Sequence, residues 1–95
     1  MPSFHPRTER LMALVGPHIR AWRVAQDLTA TEVADRADIS RPTLRAIESD
    51  PTNVSFGNVL AVLAVLGVEA DVFQAIDPME SPRGKALVLA KAVGA

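Results

Sequence analysis

The chain has 95 residues, no cysteine, 48% hydrophobic residues and a formal net charge of −1. That length suits one small domain, which buries only about 60–65% of its unfolded surface. The missing cysteine excludes a disulfide scaffold, a zinc ribbon and a thiol nucleophile. A near-zero charge excludes nucleic-acid binding by bulk electrostatics, but not by basic residues gathered on one face.

The elements follow in chain order as nearly continuous helix. Residues 1–7 hold two prolines and read as disordered. From Thr8, TERLMALV suits a short helix, which Gly16-Pro17 interrupts. A second helix starts at Pro17 and runs to about Gln26, with Ile19, Trp22 and Gln26 on one face and Trp22 in the core. After a break at Asp27, Thr29 caps TATEVADRAD, and Glu32 three residues on completes a capping box. Val33, Ala34 and Ala37 face inward. Asp38-Ile39 is a tight connection, Ser40 caps the next helix, and Leu44 and Ile47 point inward. Ser49-Asp50-Pro51 stops that helix. Ser55 to Leu66 is another, closed by Gly67. Glu69 to Ile76 and PRGKALVLAKA after Ser81-Pro82 complete the set. The most apolar stretch, Val54 to Val68, is shorter than the ~20 residues of a membrane span. Met1 to Arg10 lacks the apolar core of a signal peptide. A cytoplasmic protein is expected, with no membrane partner.

The informative segment is Leu28 to Glu48, LTATEVADRADISRPTLRAIE. Two short capped helices meet at a turn. Ala34 and Ala37 provide small contacts, and Val33, Ile39, Leu44 and Ile47 form an apolar wedge. A second helix held this way can enter a major groove about 12 Å wide.

Ile19-Arg20, Arg23, Leu28-Thr29, Ala34, Ile39-Ser40-Arg41 and Ile47-Glu48 together resemble the lambda-repressor/Cro-type helix–turn–helix pattern, the Xre family, over residues 17–76. The resemblance implies an all-α, five- to six-helix lambda-repressor-like DNA-binding domain with a short C-terminal tail helix. It implies double-stranded DNA as partner, through a palindromic operator, and transcriptional repression. Carried over position by position, Arg23 and Glu48 form an internal ion pair. Arg41, Pro42, Thr43, Arg45 and Ala46 take the groove-facing positions. Arg41 and Arg45 suit guanine edges, Ser40 and Thr43 suit phosphate or a thymine methyl, and Thr29 suits phosphate. Two departures stand out. Ala30 replaces a glutamine the family often has, and Asp38 stands where a turn glycine is usual.

Three divisions are expected: 1–16, an arm and short helix; 17–76, the DNA-binding domain; 77–95, a tail. Residues 51–68 carry no charge, and the Ser55–Leu66 helix is apolar nearly all round. Phe56, Val59, Leu60, Leu63 and Leu66 make its inward stripe, with Val62 and Val65 outside it. That surplus predicts a homodimer through Val59, Val62, Val65, Leu66, Val72 and Phe73. The tail DPMESPRGKALVLA resembles the segment that follows the domain in HipB-like antitoxins, which implies a HipA-like kinase toxin as a further partner. A solitary Xre regulator, or an interaction module that binds no DNA, are the alternatives. His5 and His18 make no metal site, no catalytic triad is spaced, and neither cofactor nor enzymatic activity is expected.

Overall fold

In the computed structural model, which describes residues 4–94, all regular structure is helical. The order is α1 (Pro6–Ala25), α2 (Ala30–Ala37), α3 (Arg41–Ser49), a single 3₁₀ turn at Pro51–Asn53, α4 (Phe56–Leu66), α5 (Glu69–Ile76), a second 3₁₀ turn at Pro78–Glu80, and α6 (Pro82–Gly94). The expected all-α architecture is what forms. Of the stretch expected to be disordered, residues 1–3 lie outside the described residues, and α1 begins at Pro6.

The caps behave as their chemistry requires. Thr29 accepts from the Glu32 N–H while the Glu32 carboxylate accepts from the Thr29 N–H, the reciprocal capping box. Hydrogen bonds from Thr29 to the Glu32 carboxylate, the backbone one foremost, hold that carboxyl below its ordinary value. Asp38 closes α2 in the left-handed conformation, φ 55° and ψ 45°, which aspartate tolerates. Ser40 and Ser55 cap α3 and α4 by accepting from the N–H three residues on. Gly67, at φ 83°, ends α4.

The core lies where α1, α2, α3 and α4 meet. Ile19, Val33, Ala34, Leu44, Ile47, Val62 and Leu66 are buried there. Each large apolar side chain removed from water contributes about 1.5–3 kcal/mol. α1 packs on α3, and α2 packs on both α3 and α4.

The structure corrects three expectations. First, Gly16-Pro17 does not break the helix, so the division at residue 16 falls inside α1. Proline in a helix interior forfeits the bond to the carbonyl four residues back and costs about 3 kcal/mol. Burial of Gly16 and Ile19 against α3 offsets it. Gly16 is required there: an added Cβ would sit 2.6 Å from the Glu48 carbonyl oxygen.

Second, Trp22 is half exposed and lies outside the core. The continuous register turns Met12, Val15, Gly16, Ile19 and Arg23 inward, and Arg23 occupies the position beside Ile19.

Third, Val62 and Leu66 cannot form a dimer surface, because both are buried in the core of one chain. The inward side of α4 centres on Val62 and Leu66, not on Phe56, which is 62% exposed. Nine of the eleven residues of α4 are apolar, so its pattern names no unique inward face. The small side chains of α2 that it packs on decide the matter.

Candidate nucleic-acid interface

α2, the Asp38-Ile39 turn and α3 form the helix–turn–helix. In α3, Leu44 and Ile47 are buried, which fixes the helix about its axis. At 100° per residue the opposite side carries Pro42, Arg45, Ala46 and Ser49, all exposed, with Arg41 on the edge towards α2. Of the proposed groove-facing residues, Arg41, Pro42, Arg45 and Ala46 therefore share an open surface. Thr43 is half-buried on the other edge. Its backbone N–H donates to the Ser40 hydroxyl at 3.1 Å, and the two hydroxyls lie 2.8 Å apart. Ser40 and Thr43 thus satisfy one another at the start of α3. The Thr29 hydroxyl accepts the α2 capping bond.

Arg23 and Glu48 come together across 25 residues of sequence. Arg23 donates from Nε to Glu48 Oε2 at 2.7 Å and from Nη2 to Oε1 at 3.0 Å. Its Nη1 donates to the Leu28 carbonyl at 3.0 Å. The two side chains are only 13% and 11% exposed. One guanidinium thus ties α1, the loop before α2 and the end of α3 together, with the bidentate fork that only arginine supplies. Hydrogen bonding to Glu48 holds Arg23 above its ordinary pKa, against the opposing effect of desolvation.

Sequence reasoning missed the setting of these groups. A cleft beside α3 is lined by Arg20, Arg23, Arg41 and Arg45, with Glu48 at its base. Glu48 is held by Arg23 and lies 4.0 Å from the exposed Arg20. The net charge of the cleft is therefore positive although the chain as a whole is not. Thr31, unremarked in the sequence, accepts a hydrogen bond from Arg41 and steadies that side chain. On the far edge of α3, Asn53, Ser55 and Asn58 line a groove with Pro42, Thr43 and Ala46. Only the fold brings these groups beside α3. Ala30, where glutamine is common in the pattern, lines the arginine cleft and has no polar group to offer. Among the described residues no cluster of three or more potential metal ligands occurs, and no helix is long and apolar enough to cross a membrane.

Comparison with known proteins agrees with this geometry. The model of the Helix-turn-helix family HTH_3 matches residues 19–73, so the chain belongs to that family of DNA-binding regulators. An immunity repressor protein of Bacillus phage phi105 is 38% identical over 55 residues, covering 58% of this chain and 38% of the relative. The match thus spans well under half of that relative's length. No solved structure matches significantly.

Proposed function

We propose that this chain is a sequence-specific DNA-binding repressor that acts as a homodimer in the cytoplasm. One observation carries the reading: Arg45 on the outward side of α3 and Arg41 on its edge towards α2 both stand exposed, in a helix–turn–helix whose angle is held by the Arg23–Glu48 fork. Membership of the helix–turn–helix family and the likeness to a phage immunity repressor support it. With α3 in a major groove, Arg41 and Arg45 bind guanine edges, and the N-termini of α2 and α3 meet phosphates. Thr29, Ser40 and Thr43 lie close to those termini, and Pro42 and Ala46 make apolar contact with the groove. A dimer reads a palindrome with half-sites about 34 Å apart. Of the expected dimer residues, Phe73 is exposed, Val72 is half-buried, and Val59 and Val65 are half-buried against the core of their own chain.

Selection of DNA from a random pool by the purified protein tests the reading. We expect an enriched palindrome. The double variant Arg41→Ala/Arg45→Ala should then lose at least ~30-fold in affinity for it, since each bidentate pair is worth about 1–3 kcal/mol. No enrichment over random sequence at moderate salt refutes the proposal and leaves an interaction module. An antitoxin role rests on the resemblance of the tail alone. The solitary regulator takes precedence, because the matched relative is named as an immunity repressor. An adjacent reading frame for a kinase-like toxin would reverse that order.

A further inference from the structure

We propose that the acidic apolar face of α5 and the basic apolar face of α6 are two halves of one interface, each covered by the other from a second copy of this chain. The proposal rests on the dimeric reading above and names the surface that makes the dimer.

Neither α5 nor α6 contains a buried residue. Phe73 and Ile76 are 52% and 67% exposed, and Leu89 and Val93 are 55% and 88% exposed. The protein measures 51 × 29 × 21 Å with a radius of gyration of 16.4 Å. A compact chain of this length would have about 12 Å. α6 seats on its own Pro78–Glu80 turn through Gly84, where an added Cβ would lie 2.1 Å from the Pro78 carbonyl oxygen. Turning 100° per residue, the side of α6 opposite Gly84 carries Ala86, Leu89, Ala90 and Val93, flanked by Arg83 and Lys85. Beside the exposed face of α5 is an open groove lined by Phe73, Gln74, Asp77 and Glu80.

Charge selects the occupant. Residues 69–80 carry four acids and no base, and residues 81–95 carry three bases and no acid. None of these seven groups belongs to an ion pair among the described residues. α6 against α6 would oppose like charges. The exposed apolar side chains of α1, Leu11, Leu14 and Trp22, lie on one side of the helix with Arg7 and beside Arg10, so α6 meets like charge there too. Among the described residues, only α5 presents apolar surface with the opposite sign. In a two-fold arrangement each copy gives α6 and receives α6, so every such surface is covered and the contact is made twice.

The test uses two full-length variants at exposed positions, Arg83→Glu/Lys85→Glu and Gln74→Lys/Glu80→Lys, followed by light scattering at micromolar concentration. Wild type is expected at twice its 10.2 kDa chain mass. Each variant alone should dissociate at least ~10-fold more readily, because like charges across an interface are repelled. An equimolar mixture should restore the dimer as a heterodimer, since an α6 made acidic then meets a groove whose two new lysines outweigh Asp77, and the other contact is the wild-type pairing. Two variants that dimerise like wild type overturn the proposal and leave the dimeric reading standing. Variants that stay monomeric when mixed also overturn it. A monomeric wild type removes both. A second readout needs no variant: the wild-type dimer constant should weaken several-fold between low and high salt, and a salt-independent constant refutes the charge pairing.

Discussion

Replacing Gly16 by alanine sets two effects of opposite sign against each other. Helix propensity favours alanine over glycine by about 0.5–1 kcal/mol in a helix interior. Packing opposes it. The new Cβ would lie 2.6 Å from the Glu48 carbonyl oxygen, 2.8 Å from the Glu48 carbonyl carbon and 2.9 Å from the Ile47 carbonyl oxygen. The shortest of these falls about 0.8 Å inside ordinary contact, and all three atoms are backbone. No rotamer change relieves the clash. α1 must move off α3, which carries Ile19 out of the core and strains the Arg23–Glu48 fork. Overpacking of this kind costs about 1–3 kcal/mol, and stretching the fork adds to it. A net loss of about 1–2 kcal/mol is expected, a fall in Tm of about 4–16 °C for a domain of this size. Thermal unfolding followed by circular dichroism reads it. A Gly16→Ala protein as stable as wild type, or more so, would refute the close approach of α1 to α3.

Arg23→Ala should destabilise by about 3 kcal/mol, because it strands a nearly buried Glu48 carboxylate; Arg23→Met/Glu48→Leu should recover most of that loss in the same denaturant titration. Val62→Ala should cost about 2 kcal/mol, and Phe56→Ala under about 0.5 kcal/mol, the reverse of what the apolar pattern of α4 suggests. Glu32 and Asp50 are both held below their ordinary carboxyl values, by hydrogen bonds from Thr29 and Thr52 respectively. Their folded forms therefore favour the ionised state. The stability they lend is complete above the ordinary values of 4.5 and 3.8 and disappears as pH falls through the lower folded values. Unfolding titrations below pH 5 should show this acid limb, and Glu32→Gln should flatten part of it.

Much of the fold was legible in the chain because its signals are local. Thr29 with Glu32, Ser40, Asp38, Ser55 and Gly67 each act on backbone groups within a few residues, so a linear reading finds them. The Arg23–Glu48 pair was legible for another reason. It arrived with a resemblance whose residues stand at characteristic spacings, and no local rule would have joined them. The exposed positions of Arg45, outward, and Arg41, on the edge towards α2, follow from helical periodicity once Leu44 and Ile47 are taken as buried. Thr31 beneath Arg41, and Arg20 at the mouth of the cleft, were not legible, since nothing near either residue points to a neighbour that distant.

The sequence alone determined where α2 to α5 start and stop and which side of α3 is apolar, because caps and 3.6-residue periodicity are short-range physics. The tertiary structure decided three things that depend on what each helix packs against. It kept α1 helical through Pro17, since burial of Gly16 and Ile19 against α3 outweighs a lost hydrogen bond. It turned Trp22 outward and gave its place beside the core to Arg23. It chose Val62 and Leu66 as the inward side of α4, which is apolar on nearly every side. The surplus of apolar residues first read onto α4 thereby moved to α5 and α6, the two helices without a fully buried residue.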